Sequence, residues 1–287
     1  MAGAASPFRR LGAPPLLWAV LFTVAPVLVV LGVSLTEAQS FQALLATRNW
    51  KGLNFPVLDG YRIVLGDPLY RRAALSSLRI AGLSALLAVA VAYPLAYVVS
   101  RRREPARSLL AAAVMLPFWT SFLLRVYAFE LLLGGSGPLN RLLIASGLIA
   151  QPLALLHTDA AAVVGIAYSY LPFAFLPIFA GLVRLDGALL EAAADLGAGP
   201  AARFLSIVLP LSAPGLVAGF LLVLIPALGE FVIPDLLGGP DTLTFGRSLW
   251  TEFFGNRDWP VASALAVVLL VAAGLGLFVP ALRRRAG

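Results

Sequence analysis

The sequence predicts an all-α protein that crosses a membrane with six helices. Of its 287 residues, 60% are hydrophobic and only 12% are charged, whereas a soluble domain carries about 25% charged residues. The hydrophobic residues are concentrated in six runs, and each is close to the length of about 20 residues that crosses a bilayer as a helix. The runs cover approximately residues 15–35, 75–100, 108–132, 159–183, 212–237 and 260–282. We therefore interpret residues 1–287 as one membrane domain.

The composition excludes several kinds of chemistry. The chain has no cysteine, and therefore no disulfide, thiolate metal site or cysteine nucleophile. His157 is the only histidine, which excludes an HExxH motif and every multi-histidine metal site. The only lysine, Lys51, precedes Gly52, so the sequence has no GxxxxGK[ST] phosphate-binding loop. We expect no catalytic residue, no metal site and no bound cofactor on this chain.

The runs and connections follow one another in a regular order. The first run follows Arg9 and Arg10, and it is longer than the apolar core of about 7–15 residues in a signal peptide, so we expect it to be retained. Arg101–Arg103 end the second run abruptly. Three mixed segments are predicted to be extracytoplasmic loops: residues 36–74, 133–158 and 238–259.

The distribution of charge predicts the orientation. The two termini, residues 101–107 and residues 184–211 together hold eleven arginines and four carboxylates, whereas the charges elsewhere cancel. Because cytoplasmic loops carry an excess of arginine and lysine, we place both termini and residues 184–211 in the cytoplasm. The net charge of +7 is thus typical of membrane topology, and we expect no nucleic-acid partner.

The cytoplasmic segment 184–211 is predicted to form a helical hairpin. Glu191 and Asp195 are four residues apart and therefore share one helical face. Gly197 permits the helix to end, and Pro200 is suited to the first position of a second helix. The alternative is an ordinary amphipathic loop that packs on the membrane surface.

Glu230 is the carboxylate that the sequence places inside an apolar run. An ionisable residue within a membrane segment is a functional hypothesis by default. The alternatives are a carboxylate wetted by the membrane interface, or one that is paired with Arg125 or another arginine at the same level.

Acidic and aromatic residues also mix in and after the fifth run. Carboxylates beside aromatic faces attract organic cations, which favours a cation path, although an interfacial aromatic belt and a docking surface for an external partner remain open. The belt is the more typical role for Trp250 and Trp259. The acids are Glu230, Asp235, Asp241, Glu252 and Asp258. The aromatic residues that could line a path in the third and fourth runs are Trp119, Tyr127, Tyr168 and Tyr170.

The single histidine precedes the fourth run. Thr158 or Asp159 is suited to cap the helix that begins there. His157 could belong to a Ser–His–Asp set, but the sequence has no GxSxG elbow, so we do not predict catalysis.

The hairpin carries a recognisable motif. Glu191-Ala192-Ala193, followed by Gly197 and by Ile207-x-Leu209-Pro210, resembles the EAA loop of permease subunits in binding-protein-dependent ABC importers. Residues 226–241 and 246–264, with 116–128 and 151–158, are similar to the polyamine (spermidine/putrescine) permeases. The resemblance covers most of the chain from about residue 75 onward.

The resemblance implies a type I importer permease in a bacterial inner membrane. Its implied partners are a second homologous permease, two cytoplasmic ABC ATPases that bind ATP and magnesium, and an extracytoplasmic substrate-binding protein. It implies uptake of putrescine or spermidine by alternating access. We assign coupling to the ATPase to Glu191, Ala192, Ala193, Asp195, Leu196, Gly197 and Arg203. We assign the substrate pathway to Glu230, Asp235, Trp119, Tyr127, Tyr168 and Trp250.

Other functions remain open at this point. Within the same class, the solute could be an opine, an aminophosphonate, thiamine or iron. An intramembrane enzyme would need several reactive groups at one depth, whereas the sequence has scattered acids and one histidine. A membrane scaffold would not need a hairpin with a glycine turn.

Overall fold

The computed structural model describes residues 7–47, 54 and 57–283, and all regular structure within these ranges is helical. The all-α prediction is confirmed. Arg284 and Arg285, used above to predict the orientation, lie outside the described residues. The α helices are α1 (Pro7–Ser34), α2 (Ala38–Thr47), α3 (Asp59–Gly66), α4 (Pro68–Ser100), α5 (Ala106–Met115), α6 (Phe122–Leu133), α7 (Pro138–Ala145), α8 (Asp159–Val183), α9 (Gly187–Asp195), α10 (Pro200–Arg203), α11 (Leu209–Leu228), α12 (Val232–Leu237), α13 (Phe245–Trp250) and α14 (Trp259–Arg283).

Four helical stretches in the described residues are long and apolar enough to cross a membrane: Pro14–Ser34, Pro68–Ser100, Asp159–Val183 and Pro200–Leu228. A bent pair that includes α5 and α6 is a fifth candidate, and α14 holds a shorter apolar stretch, Trp259–Gly274. The count of six spans therefore stays a prediction.

The helix of the second run begins at Pro68 rather than near residue 75. A carboxylate oxygen of Asp67 accepts a hydrogen bond of 2.7 Å from the amide of Leu69, and Pro68 occupies the first helical position. Both are helix-start signals. Hydropathy alone misses them because Arg71 and Arg72 make the first turn polar.

The third run, predicted as one span over 108–132, is broken. After α5, residues Leu116–Trp119 form a 3₁₀ turn, and α6 begins only at Phe122. The two parts are bent by 87°. Pro117 lacks a backbone N–H and cannot continue the α-helical hydrogen bonds, so an apolar run need not be one helix.

The fifth run, predicted over 212–237, is also two helices. It starts at Leu209, ends at Leu228 and resumes at Val232. Gly229 and Glu230 lie between the two helices. The carboxylate that the sequence placed inside a span therefore lies at a break.

The chain divides into two compact units. The first comprises the described residues up to Arg71 together with Ser248–Ala272, and the second comprises Arg72–Arg247 with the remainder of α14. In the first unit, Gly60 packs closely against Pro260 and Ala264. The hydroxyls of Ser34 and Tyr61 lie 2.7 Å apart in a hydrogen bond.

The second unit has its core between α4, α8 and α11. Phe175 and Ile178 of α8 and Val223 of α11 are fully buried in it. A Cβ atom added to Gly219 would lie 2.8 Å from the carbonyl oxygen of Ala174. Because small residues let helix backbones approach closely in membranes, α8 and α11 form a tightly packed pair.

Candidate transport pathway and coupling hairpin

The carboxylate of Glu230 is buried at the break between α11 and α12. Only 8% of the residue is exposed. Oε2 accepts a hydrogen bond of 2.5 Å from the hydroxyl of Tyr170, and Oε1 accepts one of 2.9 Å from the amide of Val232 and one of 3.4 Å from the amide of Ile233. The bonds to Oε1 satisfy donors at the start of α12. Glu230 thus connects the beginning of α12 to the middle of α8.

Arg125 of α6 is a buried cation in the same unit. It is 9% exposed, and within the described part of the chain its Nε and Nη1 atoms have no hydrogen-bond partner. The guanidinium carbon lies 5.7 Å from the ring centre of Phe118 and 6.0 Å from that of Phe122. Aromatic faces stabilise a desolvated cation, and these two rings lie within that range of Arg125, whereas no ion pair joins Arg125 to Glu230 among the described residues.

Aromatic contacts extend from Arg125 towards Glu230. The Phe118 ring packs edge-on against Phe173 at 5.3 Å, and Phe173 lies 5.9 Å from the ring of Tyr170. Tyr170 then donates to Glu230. A buried cation and a buried carboxylate are therefore joined through three rings.

Three aromatic residues of the predicted pathway lie elsewhere on the surface of this chain. Trp119 is 82% exposed at the break before α6, and Tyr127 and Tyr168 are also exposed. Tyr168 packs on Phe129 at 4.8 Å. No hydrogen bond or ring contact joins these three to Glu230 within the described ranges. The sequence did not distinguish Tyr170 from them, because nothing local marks the residue that meets a carboxylate 60 positions away.

The other two predicted pathway residues have their own neighbours. Asp235 forms an ion pair of 3.1 Å with Arg247. Since both side chains are partly exposed, the pair contributes about 0.2–1 kcal/mol. Trp250, in the first unit, packs against Phe254 at 4.1 Å.

The start of α8 is fixed by a polar cluster. Thr158 caps the helix, since its hydroxyl accepts a hydrogen bond of 3.1 Å from the amide of Ala161. Asp159 accepts a hydrogen bond of 2.6 Å from Thr242 and pairs with Arg79. His157 precedes this cap with a left-handed backbone (φ 59°). Among the described residues, no group of three His, Cys, Asp or Glu side chains could hold a metal ion.

Residues 184–211 contain the predicted hairpin, which is formed by α9 and α10. Asp186 caps α9 through a 2.9 Å bond from the amide of Ala188. At the other end, Gly197 has a φ of +81°, and the amides of Gly197 and Ala198 reach back to the carbonyls of Ala194 and Ala193, each at 2.9 Å. This is a Schellman ending, which favours glycine at the left-handed position.

Pro200 begins the second helix of the hairpin. The chain continues from α10 through a π-helical turn, Phe204–Val208, into α11 without a loop. The hairpin is therefore joined directly to the helix that leads to Glu230.

The residues of the hairpin motif are accessible on the surface of this chain. Leu196, the residue that follows α9, is 89% exposed, and Leu189 of α9 is also exposed. An exposed apolar stripe rimmed by charged residues is typical of a surface that binds another protein. Exposed beside it are Glu191, Ala192, Asp195 and Gly197, whereas Ala193 and Arg203 are half-buried.

Apolar helices of membrane length, a buried carboxylate at a helix break and an exposed hairpin are the features expected of a membrane transport subunit. The chain belongs to the family described as the inner membrane component of binding-protein-dependent transport systems, whose profile matches residues 80–287.

Two relatives are similar over almost the whole chain. The spermidine/putrescine transport system permease protein PotB of Haemophilus influenzae is 38% identical over 264 residues, which are 91% of this chain and 88% of that protein. PotB of Escherichia coli K12 is 36% identical over 91% of this chain and 92% of its own length.

A solved structure shows the same fold. A bacterial alginate ABC transporter, solved in complex with a periplasmic protein that holds an alginate pentasaccharide, matches 97% of this chain and 94% of its own, with a TM-score of 0.72 and 18% identity. The chain therefore has the type I ABC permease fold predicted from its hairpin motif.

Proposed function

We propose that this chain is the permease subunit of an ATP-driven importer that takes up putrescine or spermidine. The observation that carries the proposal is the buried carboxylate of Glu230 at the break after α11. Similarity to the two PotB proteins across nine-tenths of the chain supports the choice of substrate.

The carboxylate of Glu230 can accept a further hydrogen bond from a cationic substrate. Its two oxygens accept hydrogen bonds from Tyr170 and from the amides of Val232 and Ile233, whereas an ionised carboxylate has about four lone-pair sites. An ammonium group of a polyamine would form a charge-assisted hydrogen bond at the remaining site. The exposed Trp119, Tyr127 and Tyr168 belong to the path only if a second subunit encloses them. Asp235 and Trp250 are assigned to the path as well.

The proposed assembly contains a second homologous permease, two cytoplasmic ATPases and an extracytoplasmic binding protein. The ATPases bind ATP and magnesium, and both termini of this chain lie in the cytoplasm of the bacterial cell. The exposed leucines of the hairpin, Leu189 on α9 and Leu196 directly after it, support a docked ATPase, as does the absence of a phosphate-binding loop in the sequence.

Coupling follows from the direct connection between the hairpin and α11. When the ATPases close, the docked hairpin moves and α11 tilts with it, because no loop separates them. The far end of α11 carries Gly229 and Glu230. Two arrangements of a tightly packed helix pair, such as α8 and α11, provide the two states that alternating access requires.

The substrate is tested by uptake of labelled putrescine and spermidine into cells that lack their own polyamine importers and express the complete system. We expect uptake that unlabelled polyamines abolish and that an opine, an aminophosphonate, thiamine and ferric iron leave unchanged. Uptake of one of these solutes without polyamine uptake would contradict the proposal.

A further inference from the structure

A cavity of about 280 Å³ opens beside the coupling hairpin, at the opposite end of α11 from Glu230. Tyr97 and Arg101 line it from the end of α4, Leu190 lines it from α9, and Arg203 and Phe204 line it from the segment that leads into α11. The cavity therefore contacts the three elements that meet at the base of the hairpin.

The charged groups of the cavity are both cations. No carboxylate is among the side chains that line it. The guanidinium of Arg101 lies over the ring of Tyr97, 5.1 Å from its centre. Nε of Arg203 is buried and, within the described ranges, has no hydrogen-bond partner. A buried donor without an acceptor is costly, so an anion in the cavity would remove that cost.

The rest of the lining is apolar and aromatic. Phe204 packs edge-on against Tyr93 at 5.9 Å and Tyr97 at 5.8 Å, which holds its ring in place. Leu190 and Val208 add aliphatic walls. Contact with these apolar walls does not stabilise a free inorganic anion, whereas it stabilises the glycerol and upper acyl carbons of a lipid by burying them.

We propose that this cavity binds the phosphate of an anionic phospholipid headgroup, with Arg101 and Arg203 as its ligands. The position supports a lipid source, since Arg101 directly follows the last residue of the apolar helix α4 and tyrosine is typical of the membrane interface. Basic pockets on the cytoplasmic side of membrane helices bind such headgroups. This step rests on the proposed cytoplasmic position of the hairpin.

A bound headgroup would connect α4 to the base of the hairpin. Arg101 follows α4, and Arg203 ends α10 immediately before the π-helical turn. Anionic lipid would therefore stabilise the position of the hairpin relative to the bundle. Transport coupled to ATP hydrolysis would then depend on lipid composition.

Native mass spectrometry of the full chain, purified and delipidated, tests the proposal with phosphatidylglycerol, phosphatidylcholine and inorganic phosphate as probes. We expect selective retention of phosphatidylglycerol. Arg203→Gln should weaken it about tenfold, as expected for one lost charge-assisted hydrogen bond. Arg102→Gln, an exposed arginine that does not line the cavity, should leave it unchanged. Arg101→Gln is the second variant, and it should also weaken the retention of phosphatidylglycerol. Because the side chain of Arg101 is exposed, the fold tolerates this substitution.

Several outcomes would overturn the proposal. They are equal binding of both lipids, equal effects of Arg203→Gln and Arg102→Gln, or saturation by inorganic phosphate in place of lipid. Normal lipid retention in Arg203→Gln with loss of ATPase association would assign the cavity to a protein carboxylate instead. The measurement of lipid binding does not depend on transport. If the chain binds the lipid but does not carry polyamines, the result contradicts the proposed substrate and leaves the lipid site standing.

Discussion

The hydroxyl of Tyr170 donates a hydrogen bond of 2.5 Å to Oε2 of Glu230, and so joins the middle of α8 to the break between α11 and α12. Tyr170 packs against an apolar cluster that includes Ile166 and Ile233, and Glu230 is buried near Ile233 in the chain. A movement of α11 against α8 would therefore change the geometry of this hydrogen bond.

Replacing Tyr170 by phenylalanine should destabilise the protein. The ring is retained, but a carboxylate oxygen loses its donor, which costs about 1–3 kcal/mol for a buried group. A lower midpoint of thermal unfolding in detergent is expected. Tyr168→Phe is the matched control for stability, because its side chain is exposed and, among the described residues, packs on the ring of Phe129 without donating to a carboxylate. Equal midpoints for the two variants would argue against a structural role of the bond.

Gly197→Asp should separate ATP hydrolysis from transport. The backbone φ of +81° costs most L residues about 1–2 kcal/mol, and aspartate is among those that adopt it more readily. The space around the Cβ position is open, so the turn keeps its shape while a negative charge is added to the exposed surface. We expect normal insertion, continued ATP hydrolysis by the assembled complex and loss of uptake.

Gly199→Ala is the control for this variant, since Gly199 has a φ of −67° and equally open space. It should transport normally. Normal substrate-driven uptake by Gly197→Asp would contradict the coupling role of the turn.

Gly219→Ala should loosen the α8–α11 pair. The added Cβ would meet the backbone oxygen of Ala174 at 2.8 Å, and overpacking of this kind costs about 1–3 kcal/mol. Thermal unfolding in detergent measures the loss. Gly181→Ala, on α8 with nothing within 4 Å, should have the stability of the parent, and an equal loss there would remove close packing as the cause.

Asp258 should make the first unit less stable as pH rises. Burial raises the pKa of this carboxyl, and the charge of Glu252 adds to the effect, against a hydrogen bond from the amide of Val261. The folded state binds this proton more tightly than the unfolded state does. The contribution of the protonated carboxyl to the free energy of unfolding is therefore greatest at a pH below the ordinary pKa of 3.8, and it is lost as pH rises through the pKa of the folded protein.

Asp258→Asn tests this relationship. Asparagine caps a helix about as well as aspartate, so the amide of Val261 keeps an acceptor. We expect a flatter dependence of thermal stability on pH and a higher midpoint near neutral pH. An unchanged pH profile would show that the carboxyl does not titrate differently in the folded protein.

The sequence predicted the features that local chemistry determines. Gly197 and Pro200 mark the two sides of the hairpin turn through backbone geometry alone, and the structure has the helix end and helix start at those positions. The fold class followed in the same way, because apolar runs of membrane length and an EAA-type hairpin are each contained within a short stretch of sequence.

The breaks and the long-range contacts could not be predicted in this way. Hydropathy continues across Pro117 and across Gly229, so the pattern predicts one span in each place where the structure has two helices. The Tyr170–Glu230 bond joins residues 60 positions apart. The neighbours of Arg125 depend on the bend between α5 and α6, which a linear pattern does not contain.

The most direct test of the central claim is ATP-dependent uptake of labelled putrescine and spermidine by Glu230→Gln. Loss of one charge-assisted hydrogen bond, worth about 1.5–3 kcal/mol, predicts uptake reduced about tenfold or more. Asp241→Asn, an exposed acid beyond α12, should transport at the parental rate with equal amounts of inserted protein. Uptake at the full rate by Glu230→Gln would contradict a cation path through this carboxylate.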